Sequence, residues 1–429
     1  MSTDPGARLM RKLLWRVLVP ILLLEVLNFL DRVNVSFAAL QMNHALAMSP
    51  KQYGLGVTLF SIGYVVFQMP SIWALKRFGM RRWLCATVLV WGVVTLAMAV
   101  ISSPLQFYVL RGALGLAEAG FAAGAVYYVT LFSPRRYRAA AVAATMLAVP
   151  ISVIFGGPLS GWLMTYPRGG LPGWRWMFLI EGAPALAFAL AAPFWFADGP
   201  ERAAWLDDAD RTWLRGQLQA DEAQAAGEAL AAPAQVYLSP RVWMAGMLFF
   251  CLVNASNAIV FWLPQVIKPM MGKASDLAVG VVSALPWVGI AAGMLVIPAH
   301  SDRTQERTWH IALPALVAAA GLALASVTPI GWLALVLLVI GGFGLGGAQA
   351  TFWSVPGRFL GPAASATGIA FIALISALLA PVFPYLVGWL REETGSFRTP
   401  ILIVSATLVI AVGLVFALLR PPRPDPAGG

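Results

Sequence analysis

Residues 104–132 read PLQFYVLRGALGLAEAGFAAGAVYYVTLF, an apolar stretch interrupted by two charges, Arg111 and Glu118. About 20 such residues cross a hydrocarbon core as a helix. Lipid offers the backbone no hydrogen-bond partner, so a segment placed there closes its own bonds helically. The composition says the same of the whole chain. Of its 429 residues, 59% are hydrophobic and only 11% charged, against roughly 25% charged in soluble domains. A water-soluble fold of this length lacks the interior to hide so much apolar side chain. Period-two alternation is missing, which argues against an outer-membrane barrel.

Working outward, apolar segments near residues 13–40, 54–75, 83–101, 104–132, 139–165 and 176–197 form a first set of six. A second set lies near 241–267, 277–299, 311–327, 331–356, 363–390 and 399–420. Between them, residues 198–240 carry an Ala/Glu/Gln-rich run and most of the remaining charge, and read as a partly helical cytoplasmic linker. The expected fold class is an all-α membrane protein. About twelve transmembrane helices form two pseudo-symmetric six-helix bundles, 1–197 and 241–429, around a central cavity. Such paired halves are the plan of transporters built from repeats.

The net charge of +10 does not form a continuous basic face, so nucleic acid is not expected as a partner. With the N-terminus in the cytoplasm, 20 of the 29 Lys and Arg fall on that side, from Arg8 and Lys76 through Arg135 to Arg420 and Arg423. Seven fall outside, and Arg32 and Arg111 fall within helices. This bias satisfies the positive-inside rule with both termini cytoplasmic, and it suits a bacterial inner membrane. No signal-peptide cleavage site follows the first segment, which is therefore expected to be retained. Cys85 and Cys251 lie in apolar runs and read as small core residues. His44, His300 and His310 fall at loops or helix ends without metal or nucleophile-base spacing. Neither metal, cofactor nor enzymatic chemistry is expected, and a monomer suffices.

An ionisable group at the bilayer centre costs roughly 2.5–3.5 kcal/mol even on a lenient scale. Glu25, Asp31 and Arg32 stand in the first segment, Arg111 and Glu118 in the fourth. Arg111 and Glu118 share a helix face two turns apart, about 10 Å along the axis, too far for a direct ion pair. Asp31 and Arg32 point about 100° apart. Across helices, Asp31 can meet Arg111, or Arg32 can meet Glu118. One reading makes these ion pairs that pin two helices together. The other lines a cavity with two arginines, whose planar forks suit a carboxylate, and two acids that exchange protons. Glu25 is equally a pathway residue or an interfacial glutamate.

At these residues the chain resembles the anion:cation symporters of the major facilitator superfamily, from the first helix almost to the last. The likeness is most specific at Arg111 through Glu118-Ala119-Gly120-Phe121 and Ser133-Pro134-Arg135-Arg136. It continues at Gly156-Gly157-Pro158-Leu159-Ser160-Gly161 and at Trp174-Arg175-Trp176-Met177-Phe178-Leu179-Ile180-Glu181-Gly182. Phe29-Leu30-Asp31-Arg32, Tyr64 with Gln68 and Pro70, Phe261-Trp262-Leu263-Pro264 and Phe352-Trp353-Ser354-Val355-Pro356 add to it. The resemblance implies alternating access, substrate contact by Arg32 and Arg111, and proton coupling by Asp31 and Glu118. It also implies a gating loop in the second half at Asp302 and Arg303, where the acid can rest on a helix N-terminus.

Three departures bear on the substrate. Lys76 stands where the family carries an acid, Asn257 replaces a tyrosine, and Ala373, Ala377, Leu379 and Ala380 replace asparagines and glycines. Buried hydroxyls need hydrogen-bond partners, so an aromatic or short aliphatic carboxylate fits this wall better than a sugar acid. Asn254, Asn257, Gln349 and Trp353 remain as polar contacts, each equally placed to act as interhelical glue, and Tyr64 is a further substrate-binding candidate. Proton symport of a small organic anion is the expected function, with anion exchange and drug export as alternatives.

Overall fold

The computed structural model describes residues 5–419 except 135, 139, 140, 142–144, 146, 147, 229–234 and 361. Arg135, Arg420 and Arg423 of the basic loops therefore lie outside the described residues, as does part of the segment expected at 139–165. Eleven helices among the described residues are long and apolar enough to cross a membrane, and a twelfth apolar helix, Ala148–Met164, is shorter. The protein is a multi-pass helical membrane protein.

Helix α1 (Pro5–Leu13) runs through a π-helical turn, Leu14–Leu18, into α2 (Val19–Ala45). There follow α3 (Pro50–Phe78), α4 (Met80–Met98), α5 (Pro104–Glu118), α6 (Phe121–Phe132), α7 (Ala148–Met164) and α8 (Gly173–Trp195). The linker supplies α9 (Asp208–Glu228) and the short α10 (Gln235–Leu238). The second set comprises α11 (Pro240–Met270), α12 (Asp276–Thr304), α13 (Thr308–Val327), α14 (Gly331–Phe352), α15 (Pro362–Leu379), α16 (Val382–Thr394) and α17 (Arg398–Leu419). Starts are set by local chemistry. Ser49 and Gln52 form a reciprocal capping box with Pro50 in the first turn, and Ser103 accepts from the Gln106 amide ahead of α5.

Two expected single helices are broken. The segment 104–132 divides at Ala119-Gly120, where Gly120 takes a left-handed φ of 78° and a side chain would strike Ser71. The segment 363–390 divides at Ala380-Pro381, since proline has no N–H to continue the ladder. Interruptions of spanning helices are tolerated where protein, not lipid, surrounds the freed backbone.

By packing, the chain forms two units. The first holds residues 1–229 with 260–284 and 384–392; the second holds 230–259, 285–383 and 393–429. Within the first, Tyr53 donates to the Phe261 carbonyl at 3.0 Å and Gln41 Nε2 donates to Asp276 Oδ2 at 2.7 Å. Glycines bring particular helices into backbone contact in each unit. A Cβ at Gly115 would collide with the Phe60 carbonyl, joining α5 to α3. In the second unit Gly289, Gly293, Gly342 and Gly346 do the same between α12 and α14. The four-residue spacing of each pair is the small-residue pattern that lets spanning helices approach. Outward faces are apolar: Phe194, Leu190 and Phe155 are 89%, 71% and 70% exposed, as contact with acyl chains requires.

The linker is tethered by charge. Arg8 bonds Asp207 at 2.7 Å and Arg215 bonds Glu201 at 2.5 Å. Asp198, at the end of the sixth span, accepts from the Arg81 backbone N–H at 2.9 Å, so an acid does cap the loop in which Lys76 stands.

Candidate functional site

The site residues of the first unit gather on α2, α3 and α5. Arg111 and Glu118 lie on one face of α5, both fully buried, and Glu118 is the last residue before the break at Gly120. The C-terminal end of a helix carries partial negative charge, so Glu118 and the α5 terminus together attract a cation. Arg32 of α2 fills that role: its Nε lies 3.1 Å from Glu118 Oε2. Its guanidinium also packs 4.7 Å from the Tyr64 ring centre and 5.4 Å from that of Phe60. Of the two cross-helix pairings allowed by the sequence, the structure contains Arg32–Glu118.

Asp31 does not meet Arg111. It accepts hydrogen bonds from Asn34 Nδ2 at 3.0 Å, from Thr95 Oγ1 at 2.9 Å and from the Trp91 indole N–H. Being 100° around the helix from Arg32, it faces α4 rather than α5, and three donors satisfy it there. Arg111 stays beside the Phe60 ring, 4.4 Å from its centre, and its Nε and Nη2 have no hydrogen-bond partner among the described residues. Glu118 Oε1 also lacks one. Unpaired N–H groups on a buried cation are costly. Glu25 is buried two turns before Arg32 on the same face of α2.

The second-unit candidates are placed differently. Gln349 Nε2 donates to the Leu252 carbonyl and to Ser256 Oγ, both at 2.8 Å, and so ties α14 to α11. Trp353 packs edge-on against Phe249 at 4.6 Å between centres. Asn257 is half-buried on α11, while the neighbouring Asn254 is fully buried with both amide atoms unpartnered. Asp302 pairs with Arg307 at 2.6 Å, and Arg303 is exposed. The acid resting on a helix N-terminus is Glu306 instead of Asp302. Its oxygens accept from the Trp309 backbone N–H at 2.9 and 3.0 Å, starting α13. Although partial burial raises its carboxyl, the Trp309 amide and His310 more than offset this and leave it below the ordinary range.

Glu181 on α8, noted only as part of a motif, and Asn34 on α2 are buried polar groups that the sequence did not single out as site residues. Glu181 carried a visible signal, an acid inside the sixth apolar segment.

Apolar spanning helices with charged side chains buried between them define a class: polytopic membrane transporters. Residues 21–384 match the Major Facilitator Superfamily, and the chain belongs to that family of transporters. A protein from Agrobacterium vitis named "Putative tartrate transporter" is 38% identical over 98% of this chain and 93% of its own. A "Quinolone resistance transporter" from Acinetobacter baumannii is 33% identical over 95% of this chain and 94% of its own. Among solved structures, a bacterial homolog of the human lysosomal transporter Spinster has the same fold. It superposes with a TM-score of 0.76 at 18% identity, covering 97% of this chain and 98% of that one.

Proposed function

We propose that the protein is a proton-coupled symporter of a small organic anion, working by alternating access in a bacterial inner membrane with both termini cytoplasmic. The observation that carries this is the Arg32–Glu118 pair beside Arg111, whose Nε and Nη2 are unpartnered. While Glu118 is charged it occupies Arg32. Protonation of Glu118 removes that competitor, and a substrate carboxylate then bonds Arg32 and the open donors of Arg111. Anion and proton thus favour one another's binding. Asp31 is a second proton-coupling acid, Asp302 and Arg303 belong to a gating loop, and a monomer carries out the cycle. The functional halves are 1–197 and 241–429, joined by the linker at 198–240.

Anion uptake into a negative interior is opposed by about 2.3 kcal/mol per charge per 100 mV, and one accompanying proton cancels that term. The relative named for tartrate supports a short aliphatic carboxylate, and the apolar run Ala373, Ala377, Leu379 and Ala380 favours one with few hydroxyls. The test is uptake in proteoliposomes under an imposed pH gradient, comparing tartrate, benzoate and galactonate. Accumulation of tartrate or benzoate that collapses with the gradient supports the reading. Gradient-independent uptake overturns proton coupling, and saturable galactonate transport overturns the substrate class. The quinolone-named relative makes drug export the second reading, which quinolone efflux in the same vesicles would favour.

A further inference from the structure

The turn between α12 and α13 brings together two histidines that stand ten residues apart in the chain. Gln305 takes a left-handed φ of 56°, which folds the start of α13 back beside the last turns of α12. Ser301 Oγ donates to the Glu306 carbonyl at 2.5 Å and accepts from Arg307 at 2.6 Å, so the bend is held from within. Arg358 adds a bond to the Gln305 carbonyl at 3.2 Å. Across this bend His300 Nδ1 lies 2.6 Å from His310 Nε2, with ring centres 4.9 Å apart.

The other nitrogen of His310 is already committed. Its Nδ1 lies 2.8 Å from Glu306 Oε2, four residues earlier. Glu306 in turn receives the Trp309 backbone N–H, so its carboxylate is fixed. A carboxylate on one imidazole nitrogen keeps the hydrogen there and leaves the other nitrogen a bare, more basic lone pair, as in most metal-bound histidines. That lone pair, on Nε2, is aimed at His300, which is exposed to solvent. A metal bonded to two imidazoles at about 2.0–2.1 Å holds their nitrogens about 2.9 Å apart at a right angle and about 3.3 Å apart at the tetrahedral one. From 2.6 Å the nitrogens have to part by only about 0.3–0.7 Å. His300 then carries its hydrogen on Nε2 instead of Nδ1, and no proton is lost.

We infer that His300 and His310 form a two-imidazole site for a late first-row divalent metal such as Cu²⁺, Ni²⁺ or Zn²⁺, with Glu306 orienting His310. Imidazole suits these ions, whereas Mg²⁺ and Ca²⁺ prefer oxygen. Among the described residues no set of three His, Cys, Asp or Glu side chains converges on one point, so water fills the remaining positions. Two protein ligands make an open, exchangeable site in place of a closed structural one. Ten residues match no ligand spacing along one helix, and only the bend creates the pair. The site is independent of the proton-symport reading, being built wholly from residues of the second unit.

Untagged full-length protein in detergent tests this with metal chlorides alone. Isothermal titration with Cu²⁺ should give one site per chain, bound more tightly than Ni²⁺ or Zn²⁺ as the general order of affinities requires. Mg²⁺ should give none at the same concentrations. The electron paramagnetic resonance spectrum of the Cu²⁺ form should carry the splitting from two imidazole nitrogens. His300→Gln and His310→Gln should each remove that two-nitrogen splitting and weaken binding more than Glu306→Gln, which should cost about tenfold. His44→Gln should bind as wild type. Absence of saturable Cu²⁺ binding below millimolar concentrations overturns the inference and leaves a hydrogen-bonded histidine pair. Binding that survives in both histidine variants overturns it as well, since the metal then sits elsewhere. An affinity unchanged in Glu306→Gln overturns the orienting role. Should one histidine variant aggregate, the other carries the test, because both rings are required.

Discussion

The two packed units differ in what they bury. Inside the spans of the first lie Glu25, Asp31, Arg111, Glu118 and Glu181, with Arg32 half-buried among them. Among the described residues, the buried polar side chains of the second are Asn254, Ser301, Thr351, Ser376 and Ser405, none of them charged. Both units use glycine to draw helices into backbone contact, at Gly115 in one and at Gly293 in the other. The shared feature is the packing plan and the unshared one is charge. Since a charge at depth is expensive, its confinement to one unit among the described residues sets that interior apart from the other, which relies on packing alone.

Substitutions test that separation, the largest effect coming from the buried cation. Arg111→Ala removes the open guanidinium and should lower initial uptake about a hundredfold, as a loss of roughly 3 kcal/mol implies. Monodisperse protein on size exclusion would show that the fold survives. Uptake within a few-fold of wild type would break the comparison.

Glu118→Gln should abolish accumulation driven by a pH gradient while tartrate counterflow stays within about threefold, because the amide leaves Arg32 open to substrate but cannot titrate. Retained gradient-driven uptake would move the proton coupling to another acid, such as Asp31.

In the second unit, Gln349→Ala breaks the two hydrogen bonds to Leu252 and Ser256. Neutral hydrogen bonds contribute about 1 kcal/mol each, so uptake should fall by tenfold or less and thermal stability by a few degrees. A loss as deep as that of Arg111→Ala would place a substrate contact there.

The smallest effect is expected at the linker. The Asp210 backbone N–H and the Lys12 ammonium hold the Asp207 carboxyl down at about 2. A depressed acid stabilises fully above its ordinary value of about 4 and loses that contribution as pH falls toward the folded value. Asp207→Ala should therefore raise proteolysis of the linker slightly and equally at pH 5 and pH 7. A difference between those two conditions would contradict the assignment.

Much of the molecule was legible in its sequence. Hydropathy placed the twelve apolar segments, because lipid imposes the same length and helicity on each. The break at Gly120 was less visible, since an isolated glycine in an apolar run reads the same whether it packs or turns. At the site, the cost of burying charge singled out Arg32, Arg111, Asp31 and Glu118 before any contact was known. It did not reveal which acid serves which arginine. Gln349 and Asp302 show the same division: their polarity was evident, but not that one is spent on Leu252 and Ser256 and the other on Arg307.

The sequence by itself determined that this chain lives in a bilayer as helices and which few charges must be accounted for there, because both follow from transfer energies of single residues and segments. Only the tertiary structure decided that Glu118 holds Arg32, that Asp31 turns to Trp91, Thr95 and Asn34, and that Arg111 keeps donors unfilled. Those outcomes depend on helix rotation and on glycine contacts between helices, which local composition does not encode.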